Sequence, residues 1–570
     1  MARYSDFASS DEAVLIETDD FALVYDRQSR AFRKKLWNSS TKSWTTGWKA
    51  PYSALVAKDG STVWAEDASG KTIASGESGV DDASVIQSAI DNSEGLVKIA
   101  RGTYQFSQEC QLKDGIIIEG EGEKTRLVAN TASFFRFFKG GSVKNVVIRN
   151  LYFDGIYNGD NVGRPVDLWD SEHCIVENLI IHNPCGYGIH LTACNYCTVR
   201  YNKIYNSNKE GIGLTNHATP VDVYGNRIIG NYAYGCYTNG IYADNHNNGL
   251  IVAFNICEYN GHGYGVDNEG IEIASNCEGV AVIGNRCFNN HHYGILLNTG
   301  INKSLVVGNQ AQSIEVFDSH YVTVVGNRVD GELRVIGNYQ TIANNVGGLS
   351  HCGGHNKIIQ GNFIENSPER LFLKGSNIIV ANNIFKNSAL EGIRVDGPSD
   401  NVIIADNHFI ENEQSLGYPQ AELFLQGGSD EHITNVQIIG NSFITRTDET
   451  VRAIVAQYVD HINILRNNFI TVSGDKIRLY NVTDKKIKDN INHITENSGT
   501  ATFSGDGTTT QFSIAHGLVS TPTKVLVTPM SSDAASDFYV TADDTNIYIN
   551  YKSAPPSGTD NLKFSWYAEV

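Results

Sequence analysis

From about residue 140 onward, short runs of alternating apolar and polar residues recur, each closing on an asparagine. They read VVIRN at Asn150, CIVEN at Asn178, TVRYN at Asn202, DVYGN at Asn226, IVAFN at Asn255, AVIGN at Asn285, LVVGN at Asn309 and TVVGN at Asn327. The series continues through Asn345, Asn362, Asn383, Asn407, Asn441, Asn467 and Asn490, at spacings from 17 to 34 residues. Alternation over so few residues predicts strands, and a single short strand cannot bury its apolar side alone. Stacking coils at about 4.8 Å would place like residues over like and close one continuous core, the logic of a parallel β-helix. The closing asparagine is expected to take the left-handed bend at each corner, and turns to absorb the uneven spacing. Missing helical periodicity and dense Asn and Gly argue against an α-solenoid.

A second pattern runs through the same coils. VDLWD (166–170), GIHLT (188–192), GIGLT (211–215), GIYAD (240–244), GIEIA (270–274) and GILLN (294–298) superpose residue on residue. Alternation predicts an inward set beginning Val166, Leu168, Ile189, Leu191, Ile212 and Leu214 and ending Ile295 and Leu297. The outward set is then Asp167, Trp169, His190, Thr192, Thr215, Tyr242, Asp244, Glu272 and Asn298.

The ends of the repeat need covers, because a bare terminal coil exposes unpaired edge groups. DDASVIQSAIDNSEG predicts a short helix with Val85, Ile86, Ala89 and Ile90 on one face and Asp81 or Asp82 as N-cap. Before it, PYSALVAKDGSTVWAEDASGKTIASG alternates around two glycine turns, and after residue 495 clean alternation predicts a β-sandwich. The expected organisation is an N-terminal attachment and β module over 1–75, a helix-capped parallel β-helix over 76–495 and a C-terminal β-sandwich over 496–570.

The run DDASVIQSAID, LVKIARGTYQF and GIIIEGEGEKTRL resembles the start of the pectate-lyase-like right-handed parallel β-helix superfamily. With the repeats, the resemblance spans roughly residues 75 to 495. It implies an all-β, right-handed solenoid and leaves the chemistry open, since the superfamily includes hydrolases, lyases, epimerases and non-catalytic surface proteins. Together with the two flanking modules, the chain resembles viral (phage) tailspike polysaccharide depolymerases. That resemblance implies a homotrimer on a virion tail, outside cells, with the C-terminal module as clamp or glycan-binding unit and the N-terminal module meeting other tail proteins. Cell-surface placement is the alternative.

The net charge of -19 lacks the dense cationic footprint of a nucleic-acid binder. A neutral glycan suits it better, and an anionic one would need a local patch such as Arg200, Lys203, Arg227 and Arg286 in the groove. MARYSDFASSDE lacks the pattern of a signal peptide, and no long apolar run suggests a membrane span. Eight of the ten cysteines fall between Cys174 and Cys287. They read as small buried hydrophobes, with Cys257 over Cys287. Cys194 and Cys197 have zinc-ligand spacing but lack a second pair.

The outward stripe carries the candidate chemistry. Asp244 and Glu272 fall one coil apart, so their carboxyls should lie roughly 5 to 9 Å apart, a span that brackets both glycosidase geometries. Asp267 and Glu269 precede the Glu272 strand and complete the catalytic candidates. Asp167, Trp169, His190, His217, Tyr242, His246 and Asn298 are the expected substrate contacts. Because the stripe is acid-rich and shows no Arg or Lys, hydrolysis of a cell-surface polysaccharide by an endo-acting enzyme leads. A uronate lyase using Tyr242 with His190 or His217, a C5-epimerase and a non-catalytic adhesin or fibre are the alternatives. No cofactor is expected, although DNEG and ADNHN offer calcium-type oxygens without EF-hand spacing. The insertion around Glu411 to Glu422 could line a groove between subunits.

Overall fold

The computed structural model describes residues 51–570 except 130–135, 156–162, 264–267, 415–419, 447–450 and 473–474, together with four strands near the N-terminus, Glu12–Glu17, Phe21–Asp26, Ala31–Asn38 and Ser43–Thr46. Those four form an antiparallel sheet in chain order. The chain divides into two compact units, 1–323 and 324–570.

In the first unit each coil contributes three short strands, and each strand pairs in parallel with its equivalent one coil on. One column runs Arg164–Trp169, Ile189–Thr192, Ile212–Thr215, Ile241–Ala243, Ile271–Ile273 and Ile295–Leu297. A second runs Ile175–Glu177, Thr198–Arg200, Arg227–Ile229 and Ile251–Ala253. The third runs Ile180–His182, Lys203–Tyr205, Tyr232–Tyr234 and Ile256–Glu258. The inward set is as predicted: Val166, Ile189, Ile212, Ile241, Ile271 and Ile295 are register partners, all fully buried. Burying each such side chain contributes roughly 1.5 to 3 kcal/mol.

The helix Asp82–Asp91 covers the first coil with Val85, Ile86, Ala89 and Ile90 buried. Neither aspartate caps it by side chain. Asp82 is buried and anchored by Lys58 Nζ at 2.9 Å and the backbone N–H of Gln105 at 2.7 Å, while Asp81 accepts the N–H of Glu77. The strands Ala54–Asp59, Thr62–Asp67 and Thr72–Glu77 form an antiparallel meander, and Ala54–Asp59 also pairs in parallel with Leu96–Ile99. That meander is therefore joined to the first coil by backbone hydrogen bonds.

Asn150 and Asn178 take the left-handed bend as expected, but from Asn202 onward the asparagines do a different job. In the first unit Asn202, Asn231, Asn255, Asn285 and Asn309 form a buried amide ladder, each Nδ2 donating to the next Oδ1 at 2.9 to 3.0 Å. Each Oδ1 also takes the backbone N–H of the asparagine before it. The left-handed bend falls one residue earlier, on Tyr201, Gly230, Phe254, Gly284 and Gly308. A ladder amide must point inward, so the bend is displaced to its neighbour. Asn231, not Asn226, occupies the rung between Asn202 and Asn255, and Asn226 bonds Cys194 and Cys197 at another corner.

The second unit repeats the device. Asn327, Asn345, Asn362, Asn383, Asn407, Asn441, Asn467 and Asn490 form its ladder. Beside it Phe385, Phe409, Phe443 and Phe469 stack at 4.8 to 5.4 Å. Residues 496–569 form two three-stranded antiparallel sheets closed over Phe512, Ile547, Ile549, Phe564 and Trp566, the predicted sandwich. Nine of the ten cysteines are buried and all are free thiols, with Cys257 opposite Cys287 in register. Among the described residues, no helix is long and apolar enough to cross a membrane.

Candidate functional site

Of the positions in the first strand column of unit 1 that point away from the core, Asp167, His190, Glu272 and Leu296 are nonetheless buried and Tyr242 is half-buried. Register places Asp167, His190, Gly213, Tyr242, Glu272 and Leu296 in one line across successive coils. Asp244 follows the Tyr242 strand on the same side, so Tyr242, Asp244 and Glu272 are neighbours on one surface.

The two ends of this line differ. At Asp167 the face is closed: Oδ1 lies 2.7 Å from His190 Nδ1, and Oδ2 meets Arg136 Nε at 2.6 Å and Arg164 Nη1 at 3.0 Å. Burial opposes ionisation of Asp167, but the His190 hydrogen bond and the two arginine charges hold its carboxyl below the ordinary range. Burial pushes the His190 imidazole down against the pull of Asp167, and its Nε2 meets Thr215 Oγ1 at 2.9 Å. Tyr187 stacks on His190 at 4.2 Å and lies across Gly213, where a Cβ would strike its ring. Trp169 lies likewise across Gly141. The polar atoms of Asp167 and His190 thus face protein partners, whereas Trp169 keeps one half-exposed face.

At Tyr242 the face is acidic. Burial, then the negative charges of Asp244, Glu272 and Glu210, raise the phenol above its ordinary range, so it remains a hydrogen-bond donor. Glu272 is 8% exposed and accepts a bond from Asn239 Nδ2 at 2.8 Å. Asp244 Oδ1 accepts the N–H and the Nδ2 of Asn245, both at 2.7 Å. Glu210, two residues before the Ile212 strand, completes the group. Burial raises its carboxyl above the usual range, against the hydrogen bond of the Thr238 side chain and the charge of Lys209.

The profile described as right handed beta helix region matches residues 115–329. This segment is a right-handed β-helix. Curated protein sequences offer no match to the chain. Among solved structures, the tailspike gp61 of Pseudomonas phage phi297 is similar at 12% identity and TM-score 0.37, over 86% of this chain and 92% of that one. The tailspike of E. coli bacteriophage HK620, solved with a pentasaccharide, is similar at 14% identity and TM-score 0.38, over 89% and 92%. An alpha-1,3-glucanase catalytic unit from Streptomyces thermodiastaticus is similar at 13% identity and TM-score 0.35, over 63% and 66%.

Several expected positions fall elsewhere on the β-helix. His217 and His246 are not in the His190 line: each sits in a turn, paired with Asp170 at 2.7 Å and Asp222 at 3.0 Å. His246 instead lines a polar cleft of about 600 Å³ with Asp222, Tyr224, Asn248 and Glu278. Glu269 is fully buried rather than presented outward, with His292 Nδ1 3.0 Å from its Oε1. Asp267 lies outside the described residues. Asn298 follows the Ile295 strand and caps Thr299 through its Oδ1.

The anticipated basic patch does not line this face. Arg200 and Arg227 lie in the second column and Lys203 and Arg286 in the third, with Arg200 held by Glu177. The cations near the face are Arg136 and Arg164, which are register partners, and Lys209 over the Tyr187 ring, none of which the sequence pattern singled out. In the second unit Glu422 is fully buried beneath Asn412, so it lines no groove. Among the described residues, no group of three or more His, Cys, Asp or Glu converges as a metal-binding set.

Proposed function

We propose that the chain is a tailspike-like, endo-acting depolymerase that binds a cell-surface polysaccharide along this outward face and hydrolyses it with carboxylates. One observation carries the reading. Three carboxyl groups, Glu210, Asp244 and Glu272, surround the half-buried Tyr242 phenol, and burial raises that of Glu210 above the usual range. A carboxyl that burial makes a weaker acid beside one oriented by amide donors is the division of labour that glycoside hydrolysis uses.

Glu210 donates its proton to the leaving glycosidic oxygen as the C–O bond breaks. Asp244 takes a proton from the water that attacks the anomeric carbon, or attacks that carbon itself. Glu272, fixed by Asn239, flanks the developing positive charge, and Tyr242 donates a hydrogen bond to the sugar. Burial and the neighbouring carboxyls make the phenol a weaker acid, which argues against Tyr242 as the proton source of an elimination. Arg136 and Arg164 share one carboxylate, and with Lys209 they stand against Asp167, Glu210, Asp244 and Glu272, so the face holds no excess of positive charge. The overall charge of -19 favours a neutral polymer. Trimer assembly, placement on a virion tail and attachment through residues 1–75 belong to the same proposal and rest on the sequence resemblance.

Purified protein incubated with capsular, lipopolysaccharide and uronate polymers tests it. New reducing ends without ultraviolet absorbance of unsaturated uronates are expected, and anomeric NMR of the first product separates inversion from retention. Unsaturated products would point to a lyase, altered uronate signals without shortening to an epimerase, and binding without either to an adhesin.

A further inference from the structure

The second unit has an outward column of a different character from the acidic face. Strands Gln340–Ala343, Lys357–Gln360, Ser376–Ala381, Ser399–Ala405, Ile433–Ile439 and Arg452–Leu465 pair in parallel, one coil apart. Ile342, Ile359, Val380, Ile404, Ile438 and Ile464 point into the core and are fully buried. The residues on either side of each point outward, and none of those is charged. We infer that this face docks against a second copy of the chain. Assembly of copies is part of the function proposed above, on which this surface rests.

The face is apolar where its neighbours are not. Ile358 and Ile379 are 40% and 38% exposed, and with Ile403 they form one row up the column. Ala381 and Ala405 form the row beside it, followed by Ile439 and Leu465. Aliphatic side chains left in water at successive levels forgo the stabilisation that burial gives, and contiguous patches of them mark contact surfaces. The two other columns of these coils carry ion pairs instead, Glu365 with Lys386 at 2.6 Å and Arg394 with Asp396 at 2.7 Å. Exposed asparagines edge the apolar rows, Asn401 Nδ2 donating to Asn377 Oδ1 at 2.8 Å and Asn377 Nδ2 to Asn356 Oδ1 at 3.0 Å. An apolar strip bordered by polar groups is the anatomy of an interface.

Charge and shape point to the occupant. The chain carries 63 acids against 44 Lys and Arg, so two copies repel one another over most of their surface. They can approach where charge is missing, and this column lacks it. At the coils of Ile379 and Ile403 each isoleucine stands beside an alanine, a ridge next to a groove. Copies set side by side at one height, related by rotation about an axis along the solenoid, bring the ridge of one to the groove of the next. That is a heterologous contact, which closes into a ring when the rotation divides a full turn. Both copies repeat at about 4.8 Å, so the match recurs at successive coils. A glycan, by contrast, finds too few donors and acceptors among Ile and Ala to fix its hydroxyls.

Sedimentation of the full chain tests this. The parent should sediment as an assembly, and Ile379→Glu combined with Ile403→Glu should weaken association roughly 100-fold or more, toward the mass of one chain, with circular dichroism unchanged. Ile256→Glu, at an isoleucine of 36% exposure paired with Arg286 in the first unit, should leave the assembly as it is. Should the double variant melt early, hydroxyl-radical footprinting of the parent decides, because Ile358 and Ile379 should oxidise several-fold more slowly than Ile256. A parent that sediments as one chain, an assembly unmoved by the double substitution, or equal oxidation of the three isoleucines would overturn the assignment. So would a single chain that floats with phosphatidylcholine vesicles, which would give the face to lipid. Polymer cleavage is read separately. A chain that assembles through this face but cleaves nothing loses the hydrolase reading alone, and one that cleaves as a single chain loses this surface alone.

Discussion

The tripeptide Glu-Gly-Ile opens three strands, at Glu210, Glu269 and Glu391, and two of them bear comparison: Glu210-Gly211-Ile212 in the first unit and Glu391-Gly392-Ile393 in the second. Burial raises both carboxyls above the ordinary glutamate range. Their surroundings then diverge. Glu391, 1% exposed, is met by Arg370 Nη1 at 3.0 Å, supplied by the preceding coil. Glu210 lies instead near Tyr187 and Tyr242, whose phenols it helps to raise, with the Thr238 hydroxyl as its side-chain partner. In a stacked solenoid the same local sequence becomes a reagent or a strut according to what the adjacent coil delivers, because the decisive neighbours are some twenty residues away along the chain.

The largest expected effect falls on catalysis. Glu210→Gln should lower kcat for polymer cleavage by about 10² to 10⁴, with circular dichroism unchanged, whereas Glu391→Gln should leave kcat near that of the parent. In the parent, kcat/KM should be lost as pH rises through the Glu210 carboxyl, at a higher pH than an ordinary glutamate gives. Equal rates for Glu210→Gln and the parent would erase the contrast.

A smaller effect falls on stability. Arg370→Met leaves the Glu391 carboxylate buried without its cation and should cost about 2 to 3 kcal/mol in urea unfolding, with part of the loss restored by adding Glu391→Gln. An unchanged urea midpoint in Arg370→Met would remove the strut from the comparison.

The smallest is a pH slope. Glu422, pushed up to about 8 by burial against the hydrogen bonds of Asn412, is protonated when folded and ionised when unfolded between its ordinary range and that value. The folded state therefore holds more protons, and its stability is fullest below the ordinary glutamate pKa and declines as pH rises toward 8. Glu422→Gln should flatten that decline by roughly 1 to 3 kcal/mol between acid and mildly alkaline pH. An identical slope in the variant would show that the carboxyl is not the source.

Much of the architecture was legible because period-two alternation encodes it directly. The inward positions from Val166 to Leu297, the capping face of Val85, Ile86, Ala89 and Ile90, and the stacking of Cys257 on Cys287 follow from alternation alone. Ambiguity began where two asparagines compete for one rung. Asn226 and Asn231 each follow a glycine, and only the backbone shows that Asn231 meets Asn202 and Asn255. Within the face, Tyr242, Asp244 and Glu272 were reachable as alternate residues of aligned strands. Glu210 was not, because it precedes the glycine at which the strand was taken to start, although Glu269 and Glu391 in the same Glu-Gly-Ile setting were a signal available in the chain. His217 and His246 were misplaced because turn residues have no fixed period from which a direction can be read.

The amide ladder joins residues separated by as few as 17 positions, Asn345 to Asn362, and as many as 34, Asn407 to Asn441, through the same hydrogen bonds of 2.9 and 3.0 Å. Whatever chain length intervenes, adjoining layers lock together by an identical clasp. Protruding segments can therefore be lengthened, shortened or transplanted while the interior lattice stays put, so a new recognition surface could be grafted here without redesigning the shaft that carries it.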